Sequence, residues 1–306
     1  MSRPEIIDTH MHGRPGITAS FLVRGESTAL VESGPKTSAE AVMNGLEELG
    51  VDSLDWIVVT HIHLDHAGGA GTLLRHFPMA RVAVHEIGAP HLADPAKLWS
   101  SASRIYGDAM ETLWGGMDPI PAGKIHVLKD GDSIDLGGRS LTAIETPGHA
   151  SHHHAYLDSD TGVVFSGDAV AVRLPEAGVI RPASPPPEFN VEVACASIEK
   201  IRSLRPTGVW MTHYGPTDEG RDPLSTDEVC TRAIEALRMW ESWVREARES
   251  SGDLDDVTEF LKRKTMEHLG GTLDQNVIDR MEQTTSYRMN AMGYIRYLDK
   301  LEQAAS

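Results

Sequence analysis

Three histidines and an aspartate crowd six positions of this chain, in the run Thr60-His61-Ile62-His63-Leu64-Asp65-His66. Neutral imidazole and carboxylate are the groups that zinc and its first-row neighbours accept, so the chemistry this spacing points to is metal binding. The residues before the run, Trp56-Ile57-Val58-Val59, are apolar and β-branched, and those after it, Ala67-Gly68-Gly69, are small enough for a tight turn. The stretch reads as a strand that ends in ligands. Alternation along an extended backbone points His61 and His63 the same way, which leaves Asp65 and His66 to serve a second position.

The same device recurs along the chain. Ser140 to Thr146 reads as a strand running into Pro147-Gly148-His149, Gly162 to Ser166 as a strand running into Gly167-Asp168, and Gly208 to Thr212 as a strand running into His213-Tyr214-Gly215. Four apolar strands therefore end at His61, His149, Asp168 and His213, each delivering a metal-type ligand to a glycine-containing loop. Ligands delivered by strand ends collect along one edge. The architecture that accommodates this is α/β, a four-layer αββα sandwich of two sheets with helices outside each and the site along the shared edge.

Other elements must hold that edge in place. Ile6 to His12, Thr18 to Arg24 and Thr28 to Glu32 read as an antiparallel meander, Lys36 to Leu49 as a helix stopped by Gly50, Thr72 to His76 as a second helix and Arg81 to His85 as a strand. The first of these stretches contains a second H-x-H, His10 and His12, which would also suit the opening strand of a TIM-barrel amidohydrolase. Strand following strand argues against a (β/α)₈ chain, so the pair is assigned to the opening hairpin, on the cleft wall or the surface. From Gly88 to Gly123, prolines frame two helices carrying Trp99, Tyr106 and Trp114. This excursion is either a binding wall, with Trp114 touching substrate, or a satellite core. Ile125 to Leu128 and Asp132 to Leu136 return to strands, Pro182 to Pro187 is an irregular loop, and Val191 to Leu204 is a helix.

After Asp222-Pro223 the pattern becomes helical. Ser225-Thr226-Asp227-Glu228 is a capping box, and further helices are expected over Leu254 to His268, Gln275 to Glu282 and Thr285 to Gln303. The expected division is a metal-binding domain over residues 1–222 and a helical module over 223–306. Tyr287, Arg288 and Tyr294 on the last helix are candidates for substrate contact. His76, His85 and His91 stand alone, as exposed or structural residues, and His152 and His154 are expected at the surface.

The 306 residues carry 28 Lys+Arg against 45 Asp+Glu, a formal charge of −17, with no basic run, so a nucleic acid is not an expected partner. Cys195 and Cys230 stand far apart without a C-x-x-C, so neither a disulfide framework nor a thiolate zinc site is suggested. No window of about 18 apolar residues and no leader-like apolar stretch occur, so the expectation is a cytoplasmic chain without a membrane partner. A small-molecule substrate is expected, and a homodimer is left open.

Thr60 to Gly69 resembles the signature of the metallo-β-lactamase superfamily, αββα hydrolases that include glyoxalase II, lactonases, β-lactamases and some nucleases. The resemblance spans Thr60 to His213 and implies a full two-metal ligand set. In it, His61, His63 and His149 hold one divalent ion, Asp65, His66 and His213 hold the other, and Asp168 bridges them. It also implies a supporting role for His153, four residues after His149. Zinc is the expected metal, with iron or manganese as alternatives. Two such ions acidify a shared water and polarise a carbonyl, with Asp65 and Asp168 the catalytic carboxylates. The bridging Asp168 is unlike the β-lactamases of this fold, and His63 stands where the flavo-diiron relatives place an acid. The helical module is similar in layout to glyoxalase II and to a 2-aminobenzoylacetyl-CoA thioesterase. The implied activity is hydrolysis of an acyl bond, a thioester before an ester, with a lactonase, a phosphodiesterase or nuclease, and a metal-binding regulatory protein of little turnover as the alternatives.

Overall fold

The computed structural model describes residues 2–220, 222–271 and 273–305. The chain lays down β1 (Glu5–Asp8), β2 (Ala19–Arg24), β3 (Thr28–Val31), α1 (Ala39–Glu48), β4 (Trp56–Val58), α2 (Leu64–Ala67), α3 (Ala70–His76), β5 (Arg81–His85), α4 (Ala89–Ala93), α5 (Ala96–Tyr106), α6 (Met110–Trp114) and β6 (Ile125–Leu128). There follow β7 (Ser133–Asp135), β8 (Ser140–Glu145), β9 (His154–Asp158), β10 (Val163–Gly167), β11 (Val172–Leu174), β12 (Val179–Arg181), α7 (Val191–Ser203), β13 (Gly208–Met211) and β14 (Gly215–Pro216). The chain closes with α8 (Thr226–Ser250), α9 (Leu254–His268), α10 (Gln275–Thr284) and α11 (Tyr287–Ala305).

Two six-stranded sheets form, in the orders β1-β2-β3-β4-β5-β6 and β14-β13-β10-β9-β8-β7. Period-two alternation explains how they stack. Phe21, Val23, Val31, Val58 and Ala83 point from the first sheet into a core shared with Leu141, Ala143, Tyr156, Phe165 and Trp210 of the second. Their neighbours Leu22, Leu30, Ile57, Val82 and Val84 point the other way, under Val42 and Leu46 of α1 and Leu73 of α3. Ile144, Val164, Val209 and Met211 of the second sheet share a third core with Ile198 of α7 and with Trp240, Leu261 and Tyr294 of the C-terminal helices. The result is an αββα sandwich on which α8 to α11 are laid without a separate core. Ser225 caps α8 reciprocally with Glu228, as its sequence demands.

The first expected strand is shorter than its apolar pattern suggests. β1 stops at Asp8, whose carboxylate accepts the N–H of His10 at 2.8 Å, the N–H of Gly16 at 2.6 Å and the hydroxyl of Tyr214 at 2.9 Å. His10 and His12 then take left-handed backbone conformations, with φ of 49° and 56°, and turn the chain out of the sheet. Three helices occupy the excursion where two were expected, and the β11–β12 hairpin and β9 had no clear signal. Among the described residues, no helix is long and apolar enough to cross a membrane.

Candidate metal centre

β4, β8, β10 and β13 finish at the same edge of the sandwich, and the loops beyond them carry His61, His149, Asp168 and His213. The one-turn helix α2 adds Asp65 and His66, with His63 just before it. The donor atoms of His61, His63 and His149 lie within 4.8 Å of one another, as do those of Asp65, His66 and His213 and those of His61, His66 and Asp168. All seven residues named from the sequence are thus brought together.

The way the rings are held reveals what fits between them. His149 Nδ1–H donates to the Ala183 carbonyl at 2.9 Å, and His213 Nδ1–H to the Ile17 carbonyl at 2.9 Å. His66 Nδ1–H donates to Glu32 at 3.0 Å. Each ring is therefore left with a bare Nε2 lone pair aimed inward. His213 Nε2 faces Asp65 Oδ2 at 3.3 Å, and His66 Nε2 faces Asp168 Oδ1 at 3.5 Å. His149 Nε2 lies 3.0 Å from His63 Nδ1 and 3.5 Å from Asp168 Oδ2. His66 Nε2 and Asp168 Oδ1 are buried without a hydrogen-bond partner among the described residues. Lone pairs facing lone pairs repel unless a proton or a metal cation sits among them, and imidazole with carboxylate is a donor set for divalent first-row metals. The residues fit the ions that the sequence implied. Asp168 turns Oδ2 to His149 and Oδ1 to His66 and His213, so one oxygen addresses each set.

Titration follows the same geometry. Burial, reinforced by neighbouring imidazoles, holds His61 and His63 well below the ordinary histidine range, and burial lowers His149 although Asp168 opposes it. Those rings stay neutral and able to ligate. Burial also works to lower His66 and His213, but Asp168 and Asp65 outweigh it and raise both. A proton and a metal compete there for the same lone pairs. Burial works to raise Asp65 and Asp168, yet the surrounding imidazoles carry both below the usual carboxylate range.

Behind the ligands stands a carboxylate that sequence reasoning missed. Glu32 is fully buried and accepts from Thr60 Oγ1 at 2.6 Å, Thr212 Oγ1 at 3.1 Å and His66 Nδ1 at 3.0 Å. The run Val31-Glu32-Ser33-Gly34 repeats the strand, acid and glycine pattern seen at Asp168, and that signal could have found it. His153 is also fully buried. Its Nε2 accepts the Asp168 backbone N–H at 3.2 Å, so its Nδ1 carries the proton and donates to Thr146 Oγ1 at 2.9 Å. Gly167 makes this approach feasible, because a Cβ there would lie 2.7 Å from His153 Nε2 and 2.5 Å from Thr60 Oγ1.

The substrate contacts expected from the sequence need correction. Tyr294 is buried among the C-terminal helices and donates its hydroxyl to the Leu237 carbonyl at 3.0 Å. Tyr287 is stacked on Trp240, with the Arg181 guanidinium 4.2 Å from its ring centre, and Arg288 pairs at the surface with Asp255. Helical spacing put these residues on one helix, but packing turned both tyrosines into the core. Trp114 is likewise buried, with Met11, Ile17, Leu64 and Met110. His12 and Tyr106 lie edge-on to it, at centroid distances of 5.7 and 5.1 Å. Burial lowers His12 and raises Tyr106, and the Asp65 charge raises both. His154 was expected at the surface but is fully buried, its ring 4.4 Å from that of His85 and both its nitrogens without a hydrogen-bond partner among the described residues. As a β9 residue opposite Glu145, it faces between the sheets.

Comparison with known proteins agrees with this fold. The profile described as metallo-beta-lactamase superfamily matches residues 13–213. The metallo-beta-lactamase fold-containing protein ST1585 of Sulfurisphaera tokodaii is 30% identical over 207 residues, covering 66% of this chain and 74% of that protein. A crystal structure of ST1585 from Sulfolobus tokodaii superposes with a TM-score of 0.69 at 22% identity, over 96% of this chain and 98% of that one, a likeness of fold. A hydroxyacylglutathione hydrolase of Aeromonas hydrophila is 35% identical over 150 residues, 49% of this chain and 45% of that protein. The acyl-coenzyme A thioesterase MBLAC2 of Bos taurus is 34% identical over 130 residues, 37% of this chain and 40% of that one.

Proposed function

The chain belongs to the metallo-β-lactamase superfamily, and from that premise we propose that it is a two-metal hydrolase of acyl thioesters, with zinc as its metal. The observation that carries the reading is the inward set of bare imidazole nitrogens facing carboxylate oxygens, with every outward nitrogen of His66, His149 and His213 already committed. Divalent ions bound there supply a water acidic enough to attack at neutral pH and a Lewis acid for the carbonyl. The protein's own part is to aim and to exclude. His153 and Gly167 hold the Asp168 backbone so that its two oxygens address the two ligand sets, and Glu32 holds His66 in the ligating tautomer. Asp65, with 20% of its side chain exposed against 6% for Asp168, is the carboxylate of the set that has access to solvent.

The choice of a thioester rests on two supports. Regions similar to this chain occur in a hydroxyacylglutathione hydrolase and in an acyl-coenzyme A thioesterase. A thiolate also departs with little acid assistance, which suits a centre whose histidines are bound to ligand duty. The test is kcat/KM of the fully metallated protein on acyl thioesters, lactones, phosphodiesters and β-lactams. Thioesters should be cleaved fastest. A lactone or phosphodiester preferred by tenfold, about 1.4 kcal/mol of transition-state preference, overturns the assignment.

A further inference from the structure

The C-terminal helices share a core with the sandwich, and one of them also reaches toward the metal centre. His149 owes its bare Nε2 to the Ala183 carbonyl, which accepts its Nδ1–H at 2.9 Å. Ala183 C=O and Ser184 N–H belong to one planar peptide unit, so fixing either end fixes the other. Asn290 of α11, fully buried, accepts the Ser184 N–H on its Oδ1 at 2.9 Å and the Ser184 hydroxyl at 2.7 Å. Because both Ser184 groups donate, the atom facing them must be the amide oxygen. Its Nδ2 has no partner among the described residues, so the hydrogen bonds of this buried amide all go to Ser184.

The surrounding contacts hold the same loop. Arg181 donates to the Met281 carbonyl at 2.7 Å, and Lys300 Nζ of α11 donates to the Pro187 carbonyl at 2.8 Å. On the other side, Glu188 accepts the Ser151 N–H at 2.8 Å, and Gly148 accepts the Asn190 N–H at 2.9 Å, so the loop grips the turn that carries His149. At Gly293 no side chain fits, since a Cβ would lie 1.7 Å from the Ser184 carbonyl oxygen.

We propose that Asn290 is a positioning residue for His149: through the Ala183–Ser184 peptide it sets the tautomer and aim of the ring, so that α11 governs metal affinity at the His61, His63 and His149 set. This rests on the reading of His149 as a ligand. Without the carbonyl fixed in place, the imidazole can rotate or move its proton to Nε2, and neither state ligates.

Stepwise cobalt(II) titration of the metal-free full-length chain, read by calorimetry and the visible spectrum, tests it. The step that His149→Ala abolishes defines the first set. Asn290→Ala should weaken that step about 10- to 100-fold and leave the other within about twofold, and Asn290→Asp, which keeps the accepting oxygen, should restore it. Gly293→Ala is the second variant. It favours the helix but drives the Ser184 peptide outward, and should produce the same selective loss. Leu261→Ala, a cavity in α9, should lower the melting temperature without moving the first step. Wild-type affinity in either the Asn290→Ala or the Gly293→Ala protein overturns the proposal, as does a first-step loss in Leu261→Ala proportionate to its loss of stability. A wild-type chain with no cobalt step sensitive to His149→Ala would instead sink the metal assignment itself.

Discussion

Glu32→Gln is the sharpest probe of how the centre is held. Oε1 of Glu32 accepts three hydrogen bonds, from Thr60 Oγ1, His66 Nδ1 and Thr212 Oγ1, while among the described residues Oε2 accepts only the Thr60 N–H, at 3.4 Å. An amide therefore places its oxygen at the Oε1 position and turns its NH₂ toward the weakest of the four donors. The shape is kept, and three bonds to an ionised acceptor become bonds to a neutral one. Bonds to charged groups are worth about 1.5–3 kcal/mol and neutral ones about 0.5–1.5 kcal/mol, so each loses about 1 kcal/mol and the metal-free fold about 3 kcal/mol in all. The weakened His66 bond also loosens the ring that faces Asp65 and Asp168, which should cost about tenfold in affinity for one ion. Urea unfolding of the metal-free protein measures the first quantity, and zinc titration against a competing chelator the second. A Glu32→Gln protein within about 0.5 kcal/mol of wild type, binding both ions with unchanged affinity, would refute the reasoning.

Further tests address the ions, the cleft and the pH response. Elemental analysis of the reconstituted protein should find two ions per chain, and Asp168→Ala should lose one of them together with at least about 100-fold in turnover. Near-normal activity at full metal content would exclude the bridging role. His12→Ala should keep its metal, because His12 packs edge-on to Trp114 and belongs to none of the three groups of converging donors. Metal loss in that variant would make it a ligand instead. Burial pushes His154 down to about 4 from an ordinary 6.5, so between those values the unfolded chain binds the extra proton and stability rises with pH, by about 3 kcal/mol over the interval. His154→Phe should reduce that slope in urea midpoints of the metal-free protein at pH 4.5 and pH 7, and an unchanged slope would show that His154 titrates alike in the folded and unfolded states.

The ligands were legible in the sequence because the chain announces them locally. An apolar β-branched run that ends in histidine or aspartate beside glycine is a short-range pattern, and four such runs at His61, His149, Asp168 and His213 imply a common edge whatever lies between them. Glu32 ends a strand beside a glycine in the same way, but its part is to hold His66 from behind, and only the tertiary structure brings the two together. The supporting carbonyls of Ile17 and Ala183 could not be read at all, since a backbone oxygen has no residue type and its role depends on which distant loop arrives there. The last helix shows the limit most plainly. Its periodicity established that Tyr287, Arg288 and Tyr294 lie on one helix, but not what faces them. Burial decided that, by setting the two tyrosines around Trp240 and leaving Asn290, an unremarkable polar residue by sequence, against Ser184. Short-range pattern fixes which groups can bind a metal, and long-range packing selects the tautomers and directions in which they are held.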